Sequence, residues 1–396
     1  MKKIMILGAG PFQLAAIRKA QEIGLMVIAC SNNPTDPGLR IADIPCPIST
    51  TEKEQLLNFA KKEAISGVMT MGTDVSVPSV AFIAENLGLP GISQKIALTV
   101  TDKGYFREFL KESGFSCPAF GIAETVTEAC KVFADLNSSA IMKPVLSSGS
   151  RGIVRIQSIT EVSENFSQSV ANSFGRKVVI IEEFLDGREV GGEALVFRGN
   201  VVFFHLTNKY INSYFVPTGH SMPSDLPKNV QDEVQSLIQR VVKALGIESS
   251  PINFDVMLTE NGPVILEMGC RLGGNCLPAL MTKSTGIDTV TNAIKIALGE
   301  APVINAPHNS ECYHVMILGS EKAGILKTIT PESVLHLTFP ENIVSVRYRY
   351  AVGDKIKKFD QGAHNLGYIF IKAESLRDLD TVTEEIIHFF NITISD

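Results

Sequence analysis

Hydrophobic periodicity divides the chain into three passages. Over roughly the first 95 residues, short apolar runs alternate with stretches of helical spacing. Ile4–Leu7 reads as a buried strand. Leu14, Ala15, Ile17, Ala20 and Ile23 then recur at helical spacing, and Gly24 closes that helix. Met26–Ala29 predicts a second strand, and Leu56, Leu57, Phe59 and Ala60 part of a helix face. Val68–Met71 predicts a further strand, followed by a helix around Val80–Leu87. This β-α-β-α order implies parallel strands joined by right-handed crossovers, an open doubly wound α/β sheet. The turn residues Gly88-Leu89-Pro90-Gly91 end it.

From about residue 96 to 300 the pattern changes. Helices are expected around Asp102–Ser113 and Thr127–Leu136, then strands at Ala140–Pro144, Gly152–Gln157, Lys177–Leu185, Gly191–Phe197 and Asn200–Leu206. A long helix is expected over Lys228–Leu245. Strands Ile252–Thr259 and Pro263–Met268 flank an Asn261-Gly262 turn, and Thr289–Leu298 reads as a closing helix. Strands followed by helices, without strict alternation, indicate an α+β unit. Residues 301–396 predict a small third α+β unit, with strands at Cys312–Leu318, Ile343–Tyr350 and Leu366–Ala373 and a helix at Thr381–Phe390.

Composition narrows the choice. With 396 residues and 45% apolar content the chain can bury a large core, and disorder is excluded. Thirty-six Lys and Arg against 42 Asp and Glu give a net charge of −6, without the basic excess of a nucleic-acid binder. No apolar run reaches the roughly 18 residues that cross a bilayer, so no membrane partner is expected. The opening Met1–Gly8 is too short for a leader and is read as the first strand. Seven scattered cysteines without a C-x-x-C pair fit free thiols in a reducing cytoplasm.

Candidate chemistry is concentrated in the middle passage. Gly8-Ala9-Gly10 opens a helix after a strand and offers backbone N–H groups to an anion. The dinucleotide fingerprint needs a third glycine where Gln13 stands, which argues against NAD and a Rossmann-type oxidoreductase. Lys143 ends an apolar strand and is followed by Ser147-Ser148-Gly149-Ser150-Arg151-Gly152. Such a loop can fold over phosphates while the lysine neutralises charge, although an exposed hairpin turn would use the same residues. Glu182-Glu183-Phe184-Leu185 leads into a hinge that could meet a purine edge, and Glu189 could accept from ribose hydroxyls; an ordinary acidic strand end would look the same. Asp255 and Glu267 lie on the two arms of one hairpin, where the pleat lets both carboxylates share a face. At about 4 Å two carboxylates repel by roughly 4 kcal/mol at an effective dielectric near 20. They therefore call for a shared proton or a hard cation such as Mg²⁺. Arg271, in Arg271-Leu272-Gly273-Gly274-Asn275, could clamp a carboxylate or phosphate, or be a solvated loop arginine. His220 and Lys209 lie in a polar stretch before the metal strands and could touch substrate or move a proton; a plain structural role suits each equally. His205, in an apolar strand, reads as a core residue. Asp74 follows a strand at the carboxyl end of the first sheet, where open sheets bind ligands, but capping a helix is the commoner task.

In order along the chain, Lys103, Lys143 with its Ser/Gly loop, the 182–185 hinge, Glu189 and the Asp255/Glu267 pair with Arg271 resemble the ATP-grasp superfamily. Glu267-Met268-Gly269-Cys270-Arg271-Leu272-Gly273-Gly274 and Gly219-His220-Ser221-Met222-Pro223-Ser224 are similar to its carboxylate–amine ligase branch, which includes L-amino-acid ligases and is akin to the carbamoyl-phosphate synthase large chain. The resemblance implies a preATP-grasp-like domain over 1–95, an ATP-grasp fold over 96–300 with a lid at about 120–185, and a C-terminal domain over 301–396. It implies ATP and Mg²⁺, with Mn²⁺ as a substitute. Lys103, Lys143 and the loop holding Ser148, Gly149, Ser150 and Gly152 would lie on the phosphates, Glu182, Glu183, Phe184 and Leu185 at the adenine, and Glu189 on ribose. Asp255 and Glu267 would hold the metal, and Arg271 the acid. The implied activity is ADP-forming ligation of small-molecule carboxylates and amines through an acyl phosphate, in a homodimer as is usual among relatives. A formate- or bicarbonate-using ligase and a non-catalytic ATP-binding module are the alternatives. Two departures stand out. Gly269 replaces a frequent asparagine. Pro217 replaces a frequent acidic residue, which argues against a free α-amino acid as substrate.

Overall fold

The computed structural model describes residues 1–305 and 311–395. The first passage forms a four-stranded parallel sheet, with strands in the order Ile44–Cys46, Met26–Cys30, Lys3–Leu7, Gly67–Met69. The doubly wound expectation holds. The short Ile44–Cys46 strand was not expected; three residues, one of them proline, are too few to show a period.

An antiparallel lid sheet pairs Phe120–Ala123, Val179–Glu183, Ala140–Pro144 and Val154–Ile156 in that order. Helices Val126–Leu136 and Ile159–Ala171 bury its apolar face. The first of these starts at a reciprocal Thr125/Glu128 capping box.

The centre is an eight-stranded antiparallel sheet. Its strands run Gly262–Gly269, Ser249–Thr259, Arg188–Phe197, Asn200–Ile211, Pro217–Met222, Cys312–Leu318, Gly367–Ala373, Ile343–Tyr348. Two expectations change here. The polar stretch that holds Lys209 and His220, for which no strand was expected beyond Leu206, forms the end of one strand and the whole of the next, joined by a short turn, and Lys209 lies directly opposite His220. The C-terminal passage does not build a sheet of its own alone: Pro217–Met222 pairs with Cys312–Leu318, so the expected boundary near 300 runs beside one continuous sheet. Among its described residues, Gly324–Ile329, Lys355–Ile356 and Ile392–Ser395 make a separate three-stranded sheet.

Strand Ser249–Thr259 shows the pleat that organises the site. Ser250, Ile252, Phe254 and Val256 are buried, whereas Pro251, Asn253 and Asp255 alternate with them on the other face. The apolar face takes helix Lys228–Leu245, whose stripe Val234, Leu237, Ile238, Val241, Val242 has helical spacing and whose end is closed by Gly246 at φ +75°. Each fully buried aliphatic side chain there is worth about 2 kcal/mol. The other face carries the polar residues.

Candidate functional site

Register places the polar groups of this face in rows. Glu267 pairs directly with Asp255, and Asp255 with Gly191. One row on, Glu189 pairs with Met257 across the strands, and Lys209 with His220. One row back, Asn253 is flanked by Gly269 and Glu193. Side chains two residues apart share a face. The hairpin therefore presents both expected metal carboxylates side by side. Gly191 leaves room between them and the strands of Lys209 and His220: a Cβ there would stand 3.2 Å from His220 Cε1 and 3.3 Å from Asp255 Oδ1.

Cations meet these carboxylates. Lys209 Nζ lies 2.8 Å from Asp255 Oδ2 and 2.5 Å from Glu189 Oε1. Lys103 Nζ lies 3.0 Å from Glu267 Oε1 and donates to the Ser147 carbonyl at 2.9 Å. Burial pushes the Asp255 carboxyl up, with the Glu189 and Glu267 charges adding to the rise against the pull of Lys209. Burial would raise Glu267 too, but Lys103, Lys143 and Arg271 together hold it well below the usual range. Lys209 is itself raised, because Asp255 and Glu189 outweigh the burial that opposes its charge. Among the described residues no cluster of three or more His, Cys, Asp or Glu forms a metal cage. Two carboxylates on one face nevertheless fit Mg²⁺, which is held by one or two protein carboxylates with water and phosphate oxygens completing its shell.

Lys143 belongs to a buried ion triad. Glu182 lies 2.6 Å from Lys143 Nζ and 2.7 Å from Arg107 Nε. Arg107, which sequence reasoning missed, also donates to the carbonyls of Ile265 and Leu266, at 3.2 and 2.7 Å. Its only signal was a charge on the otherwise apolar stripe of helix Lys103–Glu112. The expected hinge is amended accordingly. Glu182 spends its carboxylate on the two cations and not on a base edge. The Phe184 N–H is taken by the Ser139 carbonyl at 2.9 Å, and Arg155 stacks 3.8 Å above the Phe184 ring. Glu183 is exposed, its backbone N–H bonded to the Ala119 carbonyl, and Leu185 is partly exposed beyond the strand.

The Ser147–Gly152 loop turns through left-handed backbone at Gly149, Ser150 and Gly152. The Ser150 hydroxyl donates to the Phe215 carbonyl at 2.7 Å, the Gly362 N–H donates to the Gly149 carbonyl at 2.9 Å, and Arg151 bonds Ser148. The loop thus reaches the turn after Lys209 and the C-terminal passage.

Arg271 meets Asp74 from the first sheet. Asp74 does not cap the following helix by its side chain; Ser76 holds that position. Glu193 is wholly buried; it accepts the Gly273 N–H at 2.6 Å, and among the described residues its second oxygen has no partner. Burial raises it to about 7 against the Gly273 N–H and Arg271. It was missed because it stands inside an apolar run. His205 is partly buried, with its ring near Phe203 and its pKa lowered mainly by burial. In the first domain the Gln13 side chain accepts from the Gly10 N–H at 3.0 Å and donates to the Met71 carbonyl at 2.5 Å. A fingerprint glycine would leave that space to a phosphate; here it is filled.

Two histidines of this region are buried and neutral. His220 shares a hydrogen bond of 3.0 Å with Thr207 and is lowered to about 3 by burial, with Lys209 and His314 adding. Burial lowers His314 to about 4; it stacks on Tyr210. An unfolded histidine takes up a proton near pH 6.5, before the folded one does. Stability is therefore lost as pH falls below about 6.5, by roughly 1.4 kcal/mol per pH unit for each such group until the folded pKa is reached. Urea unfolding of His314→Gln between pH 7.5 and 4.5 is expected to show a shallower loss than wild type. Parallel curves would contradict a buried neutral His314.

Known proteins bear on this arrangement. Residues 136–279 match the model of the ATP-grasp domain. The chain thus contains an ATP-grasp domain, the family that its ordered motifs resemble. An uncharacterized protein of Sinorhizobium fredii is 24% identical over 88% of this chain and 73% of its own length. The carbamoyl phosphate synthase large chain of Thermoanaerobacter pseudethanolicus is 26% identical over 76% of this chain, which spans only 29% of that protein. The crystal structure of L-amino acid ligase from Bacillus licheniformis superposes with a TM-score of 0.83 at 20% identity, covering 100% of this chain and 99% of that one. The full ATP-grasp fold, with N-terminal and C-terminal domains, is thereby matched from end to end. No helix among the described residues is long and apolar enough to cross a membrane.

Proposed function

We propose that this ATP-grasp enzyme is an ADP-forming carboxylate–amine ligase. The observation that carries this reading is the Asp255/Glu267 pair, side by side on one face with Lys103 against it and Lys143 close by. A substrate carboxylate oxygen attacks the γ-phosphorus of ATP; ADP leaves and an acyl phosphate forms. An amine nitrogen then attacks the acyl carbon, phosphate leaves, and the nitrogen gives up a proton. A free carboxylate is a poor electrophile, which is why the first step precedes the second.

The chain positions groups and balances charge in both steps. Lys103 and Lys143 lie on the phosphates, and the loop of Ser148, Gly149, Ser150 and Gly152 covers them against water. Glu183, Phe184 and Leu185 border the adenine site, and Glu189 meets the ribose. Asp255 and Glu267 would hold Mg²⁺, or Mn²⁺, which shields the phosphate charge when bound. Arg271 contributes its charge beside Glu267; both prongs of its guanidinium are engaged by Asp74, so the acid does not take them as a pair. Lys209, charged between two carboxylates, and His220, with a pKa near 3, are not bases at neutral pH; they orient groups. The nitrogen's proton goes to the departing phosphate or to solvent. The substrates are small carboxylates and amines, and a homodimer is the expected assembly in a cytoplasmic setting.

A panel of carboxylates crossed with amines, with bicarbonate and formate included, tests this with Mg-ATP. Release of ADP and phosphate is expected only when acid and amine are both present. Release with bicarbonate or formate alone would favour the other ligase reading. ATP binding without ADP release for any pair would overturn ligation.

A further inference from the structure

Arg271 is held from three sides. Its Nε and Nη2 donate to the two oxygens of Asp74 at 2.9 and 2.7 Å, and its Nη1 donates to Asn253 Oδ1 at 2.8 Å. Asn253 is two residues from Asp255 and lies across from Gly269, itself two residues from Glu267. Asp74 comes from the first domain, on the loop beyond strand Gly67–Met69. That loop is fastened to the same segment by a parallel bridge between Met71 and Leu272 and by the Gly72 N–H on the Leu272 carbonyl at 2.9 Å. A Cβ at position 269 would stand 2.8 Å from Asp74 Oδ1 and 3.2 Å from Arg271 Cζ. Bare backbone at 269 is what lets the Asp74 carboxylate reach this place.

We infer that Asp74 is a positioning residue of the ligase site supplied by the N-terminal domain: it fixes the Arg271 guanidinium beside Glu267 in the room left by Gly269. The two-pronged pairing sets the plane of the guanidinium as well as its distance, which a single hydrogen bond to Asn253 cannot do. The pair is largely enclosed, with Arg271 and Asp74 side chains 11% and 18% exposed, so its geometry is not averaged by solvent. Neither partner touches Lys103 or Lys143, so the effect falls on turnover and leaves nucleotide affinity alone. The activity part of the test rests on the ligase reading; the geometry does not.

Three variants of the full chain decide it. Asp74→Asn keeps the shape and removes the charge. Gly269→Ala pushes a methyl against the pair. The double variant combines them. In acid-dependent ADP release, Asp74→Asn is expected to lower kcat about tenfold or more while the KM for ATP stays within about twofold. Gly269→Ala should do the same, and the double variant should be no worse than the worse single, because both act through one pair. Circular dichroism and melting temperature verify folding. An unchanged kcat in Asp74→Asn, or losses that multiply in the double variant, would overturn the inference. If no acid–amine pair supports turnover even in wild type, the ligase reading fails separately. Crystal structures of the two single variants are then compared with wild type: an Arg271 guanidinium displaced from Glu267 in both sustains the role of Asp74, and an unmoved one removes it.

Discussion

Glu267→Gln is expected to lose ATP turnover on the order of a hundredfold or more, since even the hydrogen-bond partners of metal ligands are worth roughly 10–100-fold. The substitution keeps size and removes one charge from a place where charge is scarce on the negative side: Lys103 lies 3.0 Å away, and Lys143 and Arg271 add to the local positive field. That field keeps Glu267 ionised despite burial, so at neutral pH the wild-type group presents a full carboxylate beside Asp255. A glutamine offers one weaker oxygen. Lys103 retains its bond to the Ser147 carbonyl, so the fold should tolerate the change. The measurement is ADP release against Mg²⁺ concentration. A fall in the maximum with a higher Mg²⁺ requirement is expected. Near wild-type turnover at limiting Mg²⁺ would remove Glu267 from the metal site, and the proposed chemistry would lose its anchor.

How much of this could be read beforehand depends on whether a residue's role leaves a local trace. Helix Lys228–Leu245 was legible end to end, because its apolar stripe has the helical period and Gly246 stops it. The Asp255/Glu267 juxtaposition was legible only in part: the Asn261-Gly262 turn sets the register from Thr259/Gly262 to Val256/Ile265, but a β-bulge between Asp255 and Val256, which leaves no local sequence signal, shifts the pairing so that Asp255 meets Glu267. The second half of strand Asn200–Ile211 was not. Its inward positions Thr207 and Lys209 are polar because they serve the site, and the alternation that marks a half-buried strand disappears. The same holds for Pro217–Met222, where Gly219 and His220 replace the apolar signal. Glu193 failed in the opposite sense: the strand around it is apolar enough that one acidic residue looks incidental. Tertiary partners leave no local trace at all. Asp74 and Arg271 are separated by 197 positions, and only the packing of the first domain against the central sheet joins them. Continuity of that sheet into the C-terminal passage is likewise a pairing between Pro217–Met222 and Cys312–Leu318, across 89 intervening residues that include three helices and a hairpin.

Glu182→Gln should be the most destabilising single change near the site. Arg107, Glu182 and Lys143 are 1%, 3% and 8% exposed, and Glu182 is the anion between the two cations. Removing one partner of a buried ion pair leaves uncompensated charge and costs about 3–5 kcal/mol. Here a single neutralisation strands two cations. Arg107 keeps its bonds to the carbonyls of Ile265 and Leu266, but Lys143 loses the group that offsets its burial. Burial and the Arg107 charge already push Lys143 down, and Glu182 opposes them. Without it the lysine goes neutral more readily and its attraction for phosphate falls. Two readouts should therefore move together: the urea midpoint and the affinity for ATP. Lys143→Met separates them. It leaves the Arg107–Glu182 pair in place, so its stability loss should be the smaller, while its loss of ATP affinity should match that of Glu182→Gln. Equal destabilisation by the two variants would mean that Glu182 is not the centre of the triad. Unchanged ATP affinity in both would show that Lys143 does not reach the phosphates, and the nucleotide site would have to be sought around Lys103 alone.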